Sequence, residues 1–293
     1  MPGGERGVKE LVIVSGKGGT GKTCVAGSLA ALAENKVLAD CDVDAANLHL
    51  LAAPRKTQAE PYFGMPRAAV EKDRCSECGL CAQLCRFGAI RNFQVDVPAC
   101  EGCAVCFHAC PAGAVKMVAH QAGFLYVSAT DYGPLVHARL GIAEGNSGKL
   151  VSAVRQRARE IAEKEGLGLI ITDGPPGVGC PVISSLSGAD LALAVTEPTA
   201  AGLHDLERVL DLAGHFGIKA AVCINKWDLN PENTRAVESF CDRRNISLAG
   251  KIPYDPSVIE AVRRNSPVVR NGPGPAARAM RKLWDRLEKL LSS

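Results

Sequence analysis

Residues 15–23 read Ser-Gly-Lys-Gly-Gly-Thr-Gly-Lys-Thr, and their spacing fits two phosphate-binding patterns at once. Gly16, Gly18 and Gly21 satisfy G-x-G-x-x-G, the dinucleotide pattern. Gly16, Gly21, Lys22 and Thr23 satisfy G-x-x-x-x-G-K-[ST], the triphosphate loop or P-loop. The dinucleotide pattern requires a strand before, a helix after and an acid about 20 residues on; Asp40 meets the last condition. Lys22 and Thr23 decide the matter. A triphosphate site needs an ammonium for the β- and γ-phosphates and a hydroxyl for Mg²⁺. A dinucleotide site uses neither. Backbone N–H groups through Gly18, Gly19, Thr20, Gly21 and the first helical turn to Cys24 complete the anion cradle. Asp173 opens "DGPPG" after the apolar run 167–172, where a carboxylate reaches Mg²⁺.

A second set of reactive side chains lies between residues 75 and 110, which hold eight of the 13 cysteines. Cys75-x2-Cys78-x2-Cys81-x3-Cys85 is followed by Cys100-x2-Cys103-x2-Cys106-x3-Cys110. This is the spacing of bacterial two-cluster ferredoxins, in which each fourth cysteine ligates the other cluster. It predicts Cys75, Cys78, Cys81 and Cys110 on one [4Fe–4S] cluster and Cys85, Cys100, Cys103 and Cys106 on the other. Zinc is disfavoured, because its C-x2-C pairs are usually separated by longer loops. "CRFGAI" and "CPAGAV" close the two runs as an internal repeat, with Arg86 where the second run has Pro111. The dispersed Cys24, Cys41, Cys180, Cys223 and Cys241 read as small buried apolar residues.

These groups need a scaffold. Apolar runs at 10–16, 36–40, 124–129, 167–173, 190–197, 218–225 and 246–253 read as strands. Residues 148–166 read as a helix, with apolar positions 150, 151, 154, 158, 161 and 162 near a 3.6 period. The tail from Ala276 reads as an amphipathic helix whose leucines pack inward. The proline-bearing stretch 52–66 reads as a linker. The expected fold class is α/β: a doubly wound, mainly parallel sheet in residues 1–66 and 119–293, interrupted at 67–118 by a small α+β ferredoxin-like module. Hydrophobic residues at 47% supply a core; a net charge of +3 and 4% aromatics give no strong case for nucleic acid. The opening residues show no leader-like apolar run and no span approaches membrane length, so a cytoplasmic site is expected.

"KGGTGKT", "DCDVDAANL" and "DGPPGVG" resemble the MinD/ParA/nitrogenase-iron-protein class of deviant Walker A ATPases, here with a ferredoxin insert. The resemblance implies an ATP-dependent homodimer in which Lys17 reaches the partner's nucleotide. It assigns Asp42 to the attacking water and Asp40 to the Mg²⁺ shell, beside Thr23 and Asp173. It places Asn225 of "CINKWD" on adenine and packs "IPYDP" against the base, while N-K-x-D keeps guanine open through Asp228. Three functions follow as expectations. The first is ATP-gated electron transfer to a redox partner. The others are an Fe–S carrier or scaffold, and a MinD-like spatial organiser with redox-sensing clusters.

Overall fold

The computed structural model describes residues 7–141 and 147–293. Among the described residues the strands are β1 Lys9–Ser15, β2 Lys36–Asp40, β3 Lys56–Phe63, β4 Arg67–Val70, β5 Ile90–Arg91, β6 Gln94–Val95, β7 Val115–Val118, β8 Gln121–Thr130, β9 Gly133–Leu140, β10 Leu169–Pro176, β11 Leu191–Thr196, β12 Lys219–Asn225 and β13 Ser247–Ile252. The α-helices are α1 Lys22–Leu32, α2 Leu48–Ala52, α3 Leu80–Leu84, α4 Val105–Ala109, α5 Ser147–Glu165, α6 Cys180–Leu186, α7 Ala200–His215, α8 Pro231–Arg243, α9 Pro256–Arg263 and α10 Pro275–Ser292.

Two compact units emerge. The first takes in the chain up to Ala59, Leu125–Arg139 and Ser147–Ser293. The second covers Glu60–Phe124 and begins again at Leu140. A nine-stranded sheet has the order β13-β12-β11-β1-β10-β2-β9-β8-β3. Its run from β13 to β9 is parallel. From β1 the chain moves one way to β2 and the other way from β10 to β11, so the loop after β1 sits at the sheet's switch point. The strands here are apolar on both faces, as a sheet covered by helices on both sides requires: Leu11, Val12, Ile13 and Val14 are all fully buried.

The helices bury the stripes their sequences encode. All six predicted apolar positions of α5, Leu150, Val151, Val154, Ala158, Ile161 and Ala162, are buried. An ion network fastens this helix: Arg155 donates to both carboxylate oxygens of the buried Glu10 at 2.8 and 2.7 Å, and Thr172 donates a third bond at 2.8 Å. On α10 the buried face is Ala276, Ala277, Met280, Leu283, Trp284 and Leu287, so its apolar stripe is spent on the core. Among the described residues no helix is long and apolar enough to cross a membrane.

Three expectations need correction. The supposed linker at 52–66 contains β3, an edge strand; Pro61 is tolerated because an edge strand can spare one backbone donor. The strand ending at 173 continues through "DGPP" to Pro176. β9 was absent from the expected strands; its run "GPLVHARL" alternates too irregularly, and it follows β8 after a turn at 131–132. In the second unit, the cysteine-bearing segment contains short helices α3 and α4, which pack together, and the antiparallel pair β4–β7.

Candidate functional site

The loop between β1 and α1 is built as an anion cradle. Gly19 and Gly21 take φ of 80° and 91°, where a side chain would be strained. A Cβ on Gly16 would lie 2.6 Å from the Asp205 carbonyl oxygen, so α7 crowds the loop from one side. Asn225, at the end of β12, donates from Nδ2 to the Thr20 carbonyl at 2.8 Å. Its position at the loop therefore has a structural cause independent of any base it contacts. Lys22 and Thr20 are buried, while Gly18 and Gly19 are exposed. Thr23 and Cys24 open α1 directly after the loop, and both are half-buried.

Register brings the acids together. Asp40 and Asp173 are Cα partners on the neighbouring strands β2 and β10, at their C-terminal ends. Both are fully buried. Among the described residues neither oxygen of Asp173 accepts a close hydrogen bond. Burial raises its pKa to about 6, although the Lys22 ammonium and the nearby Thr23 hydroxyl pull it down. Asp40 is raised well above the ordinary carboxylate range by burial and by the Asp173 charge. Its oxygens are engaged: Asp42 donates its backbone N–H at 3.2 Å and Leu48 at 2.9 Å. Asp40 thus folds the loop that carries Asp42. Asp42 is half-buried, with its pKa raised by burial and lowered by Lys22. Asp44 is exposed, as expected of a solvated loop residue. Burial and the Asp173 charge raise the Cys24 thiol, which places it beside the same carboxylate.

Lys17 is one-third exposed and stands 3.9 Å from Glu197. Glu197 also binds Lys226 at 2.7 Å. Glu197 and Asp205 escaped the sequence reading. The only signal was their position after the apolar strand that became β11, on the loop and helix facing the glycines. Asp228 accepts the backbone N–H of Tyr254 at 2.7 Å, tying "NKWD" to "IPYDP".

In the second unit, Cys75, Cys78, Cys81 and Cys110 line one cavity with Phe93, Leu80 and Val115. The last cysteine of the second run thus lines the same cavity as the first three of the first. Cys110 accepts the backbone N–H of Ala114 at 3.2 Å, and this bond leads the backbone donors that lower its pKa. Burial raises the Cys106 thiol, with Cys100 and Cys103 adding to the shift, and Cys106 shares a buried cluster with Cys100. Cys85 packs against the same buried cluster as Cys100 and Cys106. All eight thiols are free. Among the described residues, no group of three or more His, Cys, Asp or Glu side chains is set to hold a single metal ion. Of the dispersed cysteines, Cys41, Cys223 and Cys241 are buried as expected, Cys24 is half-buried, and Cys180 is exposed.

A family model described as the CobQ/CobB/MinD/ParA nucleotide binding domain matches residues 11–268. The chain is 32% identical to the uncharacterized protein MJ0578 of Methanocaldococcus jannaschii, over 97% of this chain and 98% of that protein. It is 26% identical to a putative septum site-determining protein MinD of Mesostigma viride, over 90% and 77%. Among solved structures, the Pyrococcus furiosus cell division ATPase MinD superposes with a TM-score of 0.58 at 22% identity, covering 96% of this chain and 99% of that one. MinD from Pyrococcus horikoshii, solved with Mg-ADP, gives 0.57 at 22% identity over 97% of each chain.

Proposed function

The chain belongs to the CobQ/CobB/MinD/ParA nucleotide-binding family, and from that premise we propose an ATP-hydrolysing switch that governs electron transfer through two [4Fe–4S] clusters. The observation that carries the reading is the pairing of two sites in one chain. One is a triphosphate loop with a buried carboxylate, Asp173, that accepts no close hydrogen bond among the described residues. The other is a cavity ringed by four thiols drawn from both cysteine runs.

The match between each donor set and its group is one of chemical type: oxygen donors to Mg²⁺ and thiols to iron. A buried carboxylate with no close partner is costly unless something cationic arrives. Asp173 and Thr23 would hold Mg²⁺, with Asp40 behind them. Bound Mg²⁺ supplies charge neutralisation across the β- and γ-phosphates. Lys22, a buried ammonium whose charge lowers the pKa of both Asp42 and Asp173, would turn to the phosphate oxygens. Asp42 accepts a hydrogen bond from the attacking water and holds it in line. Hydrolysis then needs positioning and charge, with little covalent work by the protein. Lys17 is assigned to the nucleotide of a second copy, in a nucleotide-dependent homodimer. ATP is preferred over GTP, since Asp228 is already bound to the Tyr254 backbone.

The thiol cavity suits an iron–sulfur cube, which takes one thiolate on each iron. Clusters of this type supply one-electron chemistry. Cys75, Cys78, Cys81 and Cys110 would hold one, and Cys85, Cys100, Cys103 and Cys106 the other. The proposed organisation is an ATPase domain of residues 1–66 and 119–293 with the cluster module at 67–118. An unidentified redox protein exchanges electrons with it, and a cytoplasmic setting is proposed from the thiol-rich module.

The test is anaerobic purification with iron, sulfide and absorbance assays. The expected result is about eight irons per chain, falling to about four in Cys110→Ser. Zinc in place of iron, or iron unaffected by Cys110→Ser, overturns the reading. Exposure of Cys78 and Cys103 favours one second reading, a carrier that hands clusters on. Iron transfer to an apo-acceptor would identify it. ATP-dependent sedimentation with lipid would instead identify a MinD-like organiser.

A further inference from the structure

β13 ends the sheet order, so no strand pairs with its outer edge. Such an edge presents free backbone donors and acceptors. Beside it lies a groove of about 350 Å³ between β13 and α10. Leu248, Ala249, Gly250 and Leu283 give it an apolar floor, and Lys251, Arg278, Lys282 and Arg286 are its only charged lining residues. Four cations and no acid are an unusual concentration in a chain with 34 basic and 31 acidic residues.

The helix carries its share of this charge at a regular interval. Arg278, Lys282 and Arg286 are four residues apart, so they repeat on one face about every 6 Å. Alternate side chains of an extended strand repeat about every 6.6–6.8 Å. A strand laid along β13 would therefore bring every second side chain opposite the next cation. Arg286 already shows the edge in use: it donates to the carbonyl oxygens of Ala249 at 3.0 Å and Leu248 at 3.5 Å. Among the described residues Lys282 has no hydrogen-bond or ion-pair partner. Arg278 donates to the Pro273 carbonyl, and Lys251 pairs with Glu238.

We propose that this groove docks an extended acidic segment of a partner protein, which adds to the sheet beside β13. Main-chain bonds to the edge supply affinity, and carboxylates on alternate residues meet Arg278, Lys282 and Arg286. Arg286 is then released from the edge carbonyls to a carboxylate, for which its planar fork is suited. A nucleic acid is the poorer occupant: none of the lining side chains is aromatic, and the neighbouring Trp227 ring is covered by the Lys251 ammonium at 4.8 Å.

The test uses the full chain and a fluorescein-labelled peptide of alternating glutamate and threonine, followed by anisotropy. Binding should weaken about tenfold or more in R278E/K282E. ATP hydrolysis should be unchanged, because neither residue touches the nucleotide loop. Lys282→Glu alone, at an unpartnered position, should weaken binding in the same direction if the double variant folds poorly. Backbone N-methylation of the peptide should abolish binding. Three results overturn the proposal: no binding to the wild-type chain, equal binding of the N-methylated peptide, or tighter binding of an oligothymidylate of equal charge.

Discussion

Asp173 is the residue on which the nucleotide site turns. Its carboxylate is fully buried, accepts no close hydrogen bond among the described residues, and has its pKa raised to about 6. A raised carboxylate pKa means the folded chain binds a proton more readily than the unfolded chain. Its contribution to stability is thus greatest below the ordinary value near 4 and is lost as pH climbs through about 6. Without nucleotide or metal, Asp173→Asn should therefore stabilise the protein at pH 7.5 by about 1–3 kcal/mol, read by thermal or urea melting. The same variant should lose Mg²⁺-dependent ATP hydrolysis. Mg²⁺ affinity of the native chain should fall as pH drops below 6, because the metal must then displace a proton. Lys17 obeys a different logic. Its present partner is Glu197, at 3.9 Å, and it is not buried. Removing it should leave the fold and the nucleotide affinity near native. Lys17→Ala should nonetheless lower ATP turnover at least about 100-fold while the iron content stays constant.

At the scale of elements, β2 and its neighbours hold the acids in place. Asp40 on β2 pairs in register with Asp173 on one side and with His137 of β9 on the other. His137 is stacked between two rings: His49 at 5.3 Å and Tyr126 at 5.0 Å. Burial and the His49 ring lower the pKa of His137 to about 4. Here the sign is opposite to Asp173. The neutral imidazole is favoured in the folded state, so its stability is present above the ordinary value of 6.5 and is lost as pH falls towards 4. His137→Phe should keep the stack and flatten the acid side of the stability profile, losing less stability between about pH 6.5 and 4.5 than the native chain, as read by urea melting across that range. The strands of this region show what the sequence could reveal. β1, β2, β10, β11 and β12 were legible as buried β-branched or aliphatic runs, because both faces are covered; β13, an edge strand buried only at Ala249 and Ile252, was legible from its place in the α/β alternation. β3 and β9 were not. β3 is an exposed edge strand whose composition is set by solvent, and β9 is part-exposed with Arg139 and His137 breaking its apolar run.

At the scale of the whole molecule, spacing carried most of the candidate sites. Gly16 to Thr23, and the eight cysteines, are local in sequence, so their grouping survives without knowledge of the fold. Contacts that depend on distant chain were hidden. The Gly16–Asp205 approach, the Asn225–Thr20 bond and the hold of Glu197 on Lys17 join residues about 180 to 205 positions apart. The ring of Cys75, Cys78, Cys81 and Cys110 is the intermediate case. It spans two runs, and its four cysteines line one cavity. The proposed coupling of the nucleotide loop to the thiol module is open to direct measurement. The direct measurement is anaerobic reduction of the iron-loaded protein by a low-potential donor, with and without Mg·ATP. The account predicts that Mg·ATP changes the reduction rate or the midpoint potential in the native chain and changes neither in Lys17→Ala. Identical rates and potentials with and without Mg·ATP would contradict it.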